Sequence, residues 1–340
     1  MMATMVVVLV LSAVAMLLIG PRVLPVLRKL KFGQTIYELG PKSHQTKQGT
    51  PTMGGLMFVA VSCVITVLAM LWRPGGFAGG WDFGLAVIVV SLASMLIGFV
   101  DDFIKVVKKR NLGLIWWQKI IGQVVVAVGF SLYCYLSPYV GSSILIPFFH
   151  VEWDLGVFYV PLMAIFMIFM INSANLQDGL DGLLSSVTVI SSTAWGLLAL
   201  FASMAAGTAL TGGMAANYEH LAFFAMALTG GCLGFLRFNH YPALVFMGDT
   251  GSMFIGGAMV GMAMLMRMPV YMILVCFTLI MSSMSVIIQR VYFKATHGKR
   301  IFKMSPIHHH FELCGMTEKQ IVAMYAGIIG VLCAITLLFA

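Results

Sequence analysis

Five short stretches hold most of the side chains in this sequence that could do chemistry. In GFVDDFIKVVKK (98–109) an uncharged run ends in two adjacent aspartates, Asp101 and Asp102, with Lys105 one helical turn on and Lys109 a turn further. Like charges at the end of an apolar helix repel each other and the helix dipole, so a cation is expected beside them. In INSANLQDGLDGL (171–183), Asn172, Asn175, Asp178 and Asp181 recur every third residue, and Gly179 and Gly182 allow backbone or ligand to approach closely. In FNHYPALVFMGDTGSM (238–253), Asp249 lies among Gly248, Thr250, Gly251 and Ser252 just before an apolar run. A helix cap there needs only Ser or Asn, whereas a carboxylate suits Mg²⁺, which takes one or two carboxylates and binds substrate phosphates. Asn239 and Phe246 offer hydrogen bonding and stacking to a base.

The fourth stretch, KATHGKRIFKMSPIHHHFELCGMTEK (294–319), sets His308, His309 and His310 among Lys299, Arg300 and Lys303. A zinc site using these histidines and Cys314 lacks a fourth ligand at familiar spacing, and imidazoles among lysines are better suited to phosphate binding or proton transfer. In the fifth, KSHQTKQGTPTMGG (42–55), Thr50-Pro51 reads as a helix start and Gly54-Gly55 as a packing surface, leaving Lys47 as a phosphate contact. Plainer readings compete at each stretch: solvated i,i+4 ion pairs for 101–109, helix caps for Asp178, Asp181 and Asp249.

The elements that must position these groups follow from composition. Hydrophobic residues make up 60% of the 340 and charged residues only 9%, and the mean hydropathy is +0.98, which excludes a water-soluble globule. The sequence predicts an all-α polytopic membrane protein in one domain, 1–340. Ten segments are apolar and long enough to span about 30 Å of hydrocarbon, near 2–20, 54–72, 83–100, 121–137, 157–172, 180–203, 220–237, 251–266, 270–289 and 321–339. Alternate loops hold 18 of the 20 Lys and Arg residues, the others only Arg73 and Arg267. The basic loops are expected in the cytoplasm, with both termini outside. The absence of basic residues before the first span argues against a cleavable signal peptide. The net charge of +8 is accounted for by orientation and anionic lipid, without nucleic acid. Six cysteines without a CxxC pattern read as reduced packing residues. Between two outward helix ends, 143–160 mixes β-branched and aromatic residues around Asp154 and Gly156, a short hairpin pattern.

Of twelve acidic residues, eight fall on the basic side: Glu38, Asp101, Asp102, Asp178, Asp181, Asp249, Glu312 and Glu318. Orientation does not require this, because acids contribute little to it. A border pocket of mixed charge above an apolar groove fits a substrate with a phosphate head and a long lipid tail. Phosphoryl transfer asks for such parts: metal, positioning cations and in-line geometry.

Taken in order along the chain, GTPTMGG, GFVDDFIKV, NSANLQDGLDGL, FNHYPALVFMGDTGS and MSPIHHHFEL resemble the bacterial phospho-N-acetylmuramoyl-pentapeptide transferases. The resemblance runs through essentially the whole chain, and the ordered set with MSPIHHHFE is very specific. It implies Mg²⁺-dependent transfer of phospho-MurNAc-pentapeptide from its UDP conjugate to undecaprenyl phosphate, giving lipid I and UMP for peptidoglycan, at the bacterial cytoplasmic membrane and in a homodimer. By motif, Asp249 would bind the metal, with Asp101 or Asp102 as a further ligand, and Asp101 and Asp102 would be the catalytic acids. Lys47, Lys105, Lys109 and Lys119 would hold phosphates. Asn172, Asn175, Asp178, Asp181, Asn239 and Phe246 would line the nucleotide pocket, and His308, His309 and His310 would complete the site. Trp116-Trp117 before Lys119 and Cys314 after HHHFEL depart from the pattern.

Two mechanisms stay open, direct attack by the lipid phosphate and attack by an aspartate through a phospho-enzyme; direct attack is favoured because a phosphomonoester is mostly dianionic at neutral pH. Two rival functions also stand. A transferase of GlcNAc-1-phosphate to a polyprenyl phosphate would share the aspartates but lack MSPIHHHFE. An ion-coupled transporter would place its ionisable residues near the bilayer midplane on repeated, broken helices.

Overall fold

The computed structural model describes residues 1–29, 47, 49–73, 76–77, 81–108, 112–149, 151–208 and 212–339. Each of the ten expected spans contains helix, the one at 270–289 being broken at Cys276. The elements run α1 (Met2–Lys29), α2 (Gly55–Trp72), α3 (Phe83–Val107), α4 (Trp116–Leu136), β1 (Ser143–Ile146), β2 (Val151–Asp154), α5 (Tyr159–Gln177), α6 (Leu183–Thr208), α7 (Gly212–Asn239), α8 (Gly248–Leu265), α9 (Met272–Val275), α10 (Phe277–Ala295), α11 (Ile307–Leu313) and α12 (Glu318–Leu338).

Among the described residues, eight helices are long and apolar enough to cross a membrane, or nine if the segment 269–275 and α10, bent by 88°, count as one span. With that bent pair counted, the one expected span left out is α8. Its sequence GDTGSMFIGGAMVGMAML contains Asp249, Thr250, Ser252 and five glycines, yet all of it from Thr250 to Leu265 is buried. The cost of its polar groups is met by protein rather than by lipid. Glycines make this possible by close approach: a Cβ on Gly98 would collide with the Asp249 carbonyl, one on Gly256 would lie 2.7 Å from the Ile171 Cα, and one on Gly257 2.6 Å from Ser94 Oγ. Helices α3 and α5 therefore flank α8 at backbone distance. On another side Gly55 meets Gly251, joining α2 to α8.

The hairpin forms in the expected place. Its strands pair antiparallel with Ser143 opposite Asp154 and Ile146 opposite Val151. It is fastened to the segment after α8, where Leu145 donates its N–H to the Arg267 carbonyl at 2.7 Å and Arg267 pairs with Glu152. At this hairpin end, Asp82 caps α3 by accepting the Leu85 N–H at 3.1 Å and also meets His220 Nδ1 of α7 at 2.8 Å. Helix connectivity puts the chemistry-bearing stretches at the opposite, basic end.

Candidate active site

Helix α3 continues well past the expected inner border, so Asp101, Asp102 and Lys105 are set on its last two turns with fixed spacing. Asp249 stands in the first turn of α8, where the amides of a helix start favour a carboxylate. Because Gly98 draws these two helices together, the three carboxylates meet: one oxygen from each of Asp101, Asp102 and Asp249 lies within 4.8 Å of the others. Asp101 and Asp102 are buried and Asp249 half-buried.

Two lysines answer the negative charge. Lys105 Nζ lies 2.6 Å from Asp101 Oδ2, 3.2 Å from Asp249 Oδ2 and 3.7 Å from Asp102 Oδ1. Lys119 Nζ, from the first turn of α4, reaches Asp249 Oδ2 at 2.8 Å. Each carboxylate also has a fixed hydrogen-bond donor. The Leu114 N–H donates to Asp101 Oδ1 at 2.8 Å, and Asn175 Nδ2 donates to Asp249 Oδ1 at 2.7 Å and to Ser252 Oγ at 3.0 Å. Thr250 donates its N–H and its hydroxyl to Asp102 Oδ2 at 2.9 and 2.7 Å. Gly248 at φ +72° makes the turn into α8; any side chain there would be strained and would meet Asp102 Oδ2 at 2.5 Å.

A second cluster lies around the turn between α5 and α6. Lys47 Nζ is held between Asp181 Oδ1 at 2.8 Å and Glu318 Oε2 at 2.7 Å, and sits 5.8 Å from the centre of the Tyr241 ring. Asp181 Oδ2 accepts the Ala243 N–H at 2.9 Å, so this cluster closes over the 240–247 loop. Asp178, at the C-cap of α5, carries a carboxyl pushed well above the ordinary range by burial and then by the charges of Asp249, Asp102 and Asp181.

The histidines approach the same turn from the far side. A Cβ on Gly179 would collide with His308 Nε2 and lie 3.2 Å from His309 Nε2. His308 is buried, and His309 Nδ1 pairs with Glu312 at 2.7 Å. His310 turns away, accepting the Lys303 N–H on Nδ1 at 3.1 Å, with Cys314 Sγ 3.8 Å from Nε2. The three rings do not converge on a common point. Helix α10 carries this segment: Gln289 bonds Ile301 and Phe302, and Ser285 Oγ accepts the Ile307 N–H at 3.0 Å.

The structure thus gathers Asp101, Asp102, Lys105, Lys119, Asn175 and Asp249 at one point, and Lys47, Asp178, Asp181, His308 and His309 around the adjoining turn. Two of the expected pocket amides are engaged within the protein. Asn239 accepts from Ser185 Oγ at 2.9 Å and donates to the Val245 carbonyl at 3.0 Å, pinning the loop before α8. Asn172 donates 2.8 Å bonds to Gln123 of α4 and to the Ile168 carbonyl. Phe246 is half-buried, and its backbone bonds both ways with the 51–54 segment. Lys109 lies outside the described residues. Sequence reasoning missed Gln289 and the Leu114 amide; Thr250, Ser252 and Glu318 were in view, beside Asp249 and among the basic-side acids, but their partners Asp102, Asn175 and Lys47 were not.

Comparison with known proteins places the chain in a family. The family model Glycosyl transferase family 4 matches residues 84–267, and signature 1 of phospho-N-acetylmuramoyl-pentapeptide-transferase matches residues 47–59. Among curated relatives, the phospho-N-acetylmuramoyl-pentapeptide-transferase of Clostridium botulinum (strain Eklund 17B / Type B) is 42% identical over 331 residues, covering 96% of this chain and 95% of its own. The proteins of the same name from Acetivibrio thermocellus and Heliobacterium modesticaldum are each 44% identical, covering 96% and 97% of this chain and 92% and 98% of their own. With the signature falling on the Lys47 segment and the longer match spanning α3 to α8, the chain belongs to the phospho-N-acetylmuramoyl-pentapeptide-transferase family.

Proposed function

We propose that this protein transfers phospho-MurNAc-pentapeptide from its UDP conjugate to undecaprenyl phosphate, forming lipid I and UMP for peptidoglycan synthesis. The observation that carries this reading is the meeting of three carboxylates with Lys105 and Lys119 at the basic end of an apolar bundle. A phosphate head and a polyprenyl tail need such a border. The basic end faces the cytoplasm of a bacterial inner membrane, on the strength of its Lys and Arg content. A homodimer belongs to this reading through the family resemblance.

Mg²⁺ fits the residues present. The donors are hard oxygens from Asp249 with Asp101 or Asp102, close enough to share one small cation. Once bound, the ion neutralises charge on the transferring phosphate oxygens. The chain's own groups do the rest. Asn175 and Leu114 fix the orientation of Asp249 and Asp101 through single N–H bonds. Lys105 and Lys119, now ion-paired, are placed to turn their ammonium groups to phosphate oxygens. Lys47 serves the nucleotide side, with Asp178, Asp181, Phe246, His308 and His309 around it.

We favour direct attack. An oxygen of the lipid phosphate bonds to the β-phosphorus, the bond from that phosphorus to the oxygen bridging to the α-phosphate breaks, and UMP carries that oxygen away. A phosphomonoester with a second pKa near 6 is mostly dianionic at neutral pH, so this step needs no general base. The test is UMP release by purified protein with undecaprenyl phosphate and Mg²⁺, comparing UDP-MurNAc-pentapeptide with UDP-GlcNAc, with and without EDTA. Metal-dependent release from the muramoyl substrate alone is expected. Release from UDP-GlcNAc instead moves the protein to the GlcNAc-1-phosphate transferases, and no release from folded protein overturns the reading.

A further inference from the structure

The connection from α3 to α4 presents an apolar surface at the end of the bundle where charge is concentrated. Leu112 is 74% exposed, Ile115 54%, Trp116 76% and Trp117 46%. On the end of α3, Phe99 and Phe103 stack with centroids 6.0 Å apart, and Phe103 and Val107 are also exposed. Water is a poor neighbour for such a patch. Trp116 opens α4, whose apolar length is that of a membrane span, so the patch lies where that span meets its polar border. Indole, with a large apolar face and one N–H, is suited to the boundary between headgroups and acyl chains. Lys108 is exposed beside the patch, complementing anionic headgroups.

The same few residues hold two contacts of the carboxylate cluster. Leu114, between Gly113 and Ile115, gives its N–H to Asp101, and Lys119 reaches Asp249. The turn is stiff: Ile115 donates its N–H to Gln118 Oε1 at 3.1 Å, and the Lys119 N–H bonds back to the Ile115 carbonyl at 3.3 Å. A side chain on Gly113 would press on Asp101 at 2.5 Å, so the segment lies directly against that carboxylate.

We propose that Trp116 and Trp117, with Leu112 and Ile115, form an anchor seated in the anionic-lipid interface of the leaflet at the basic end. The anchor sets the depth at which Leu114 and Lys119 hold Asp101 and Asp249. The tryptophans are positioning residues. Their effect on turnover rests on the proposed transfer to a lipid phosphate, because a headgroup phosphate must meet the carboxylates at a fixed depth in the leaflet.

The full-length protein is reconstituted into nanodiscs of phosphatidylglycerol and phosphatidylethanolamine with bromine placed either near the headgroup or near the chain ends. Tryptophan emission is compared with that of the Trp116→Phe/Trp117→Phe variant, so that the difference reports these two of the six tryptophans. Bromine near the headgroup is expected to quench most of that difference, and bromine at the chain ends little of it. Emission of the pair that no bromolipid quenches overturns the anchor, whether the pair stands in water or against a second copy of the chain. As a second readout, Trp116→Ser/Trp117→Ser should lower kcat/KM for undecaprenyl phosphate in bilayers on the order of tenfold, with the Phe pair largely restoring it and the loss much smaller in detergent. An equal loss in detergent and bilayer, or none in either, overturns the positioning role. If the wild type shows no transfer at all, the functional reading fails while the quenching experiment still decides the anchor.

Discussion

Thr250 donates both its N–H and its hydroxyl to the same oxygen of Asp102, at 2.9 and 2.7 Å, and so ties the end of α3 to the first turn of α8. Asp102 is buried, and one of its oxygens is committed to this bond pair. Thr250→Val keeps the shape and the backbone bond while removing the hydroxyl. It should cost about 1–3 kcal/mol of stability, because a buried carboxylate oxygen loses a donor. Thermal unfolding in detergent checks the stability, and a parallel fall in kcat checks that the tie holds the carboxylates in register.

Asp249 receives more cationic and amide contacts than its neighbours, from Lys105, Lys119 and Asn175. Asp249→Asn should lower kcat by about 10²-fold or more, the scale for losing a charged group that acts on the transition state. Removing divalent metal with EDTA should abolish turnover of the wild type, and added Mg²⁺ should restore it. Calorimetric Mg²⁺ titration should show binding to the wild type and none to the Asn variant.

Gly98 sets the separation of α3 and α8. A methyl group there meets the Asp249 carbonyl and the Thr250 amide, both backbone, so neither can swing aside. Gly98→Ala should destabilise the protein by about 1–3 kcal/mol through overpacking and reduce activity by separating Asp249 from Asp101 and Asp102. Gly129→Ala, where a methyl group meets nothing within 4 Å, is the matched control and should leave both properties near wild type.

Lys47 neutralises two carboxylates from segments far apart in sequence, Asp181 and Glu318. Lys47→Met leaves both without their cation in a site where all three side chains are largely buried, and a loss of a few kcal/mol is expected. Lys47→Met/Glu318→Gln should recover part of that stability, measured by thermal unfolding, without recovering KM for the UDP substrate.

The hairpin end has its own pH response. Asp154 accepts bonds from the Ser142 hydroxyl and the Gly156 N–H, which hold its carboxyl below the ordinary range. A lowered folded pKa contributes order that is present above the unfolded value and lost as pH falls through the folded one. Exchange of the Gly156 amide should therefore remain protected at neutral pH beyond the intrinsic rate, and that protection should fall on acidification below the ordinary carboxylate pKa. Asp154→Asn should remove this pH dependence.

The carboxylate cluster was legible because a chain with so few charges makes each acidic residue conspicuous, and because Asp101, Asp102 and Asp249 all sit at helix ends on the basic side. The helices were legible from hydropathy, and the hairpin from its β-branched and aromatic pattern. Side-chain partnerships across long separations were not. Lys47 and Glu318 are 271 residues apart, and no periodicity connects them. Nor does the spacing of Asn172 and Asn175 show that one amide turns to Gln123 while the other turns to Asp249. Neighbouring positions on one helix took different work because different helices pack against them.

The burial of α8 bears on how the protein is made. With an aspartate, a threonine, a serine and five glycines, this segment has little tendency to partition from the translocon into lipid alone. It becomes favourable only when α3 and α5 are present to accept its glycine faces and Asp249 has Lys105, Lys119 and Asn175 beside it. The helix that brings Asp249 to the cluster must therefore be inserted as a late guest of helices already in place. Weakening those neighbours would lower the yield of inserted protein as well as its turnover.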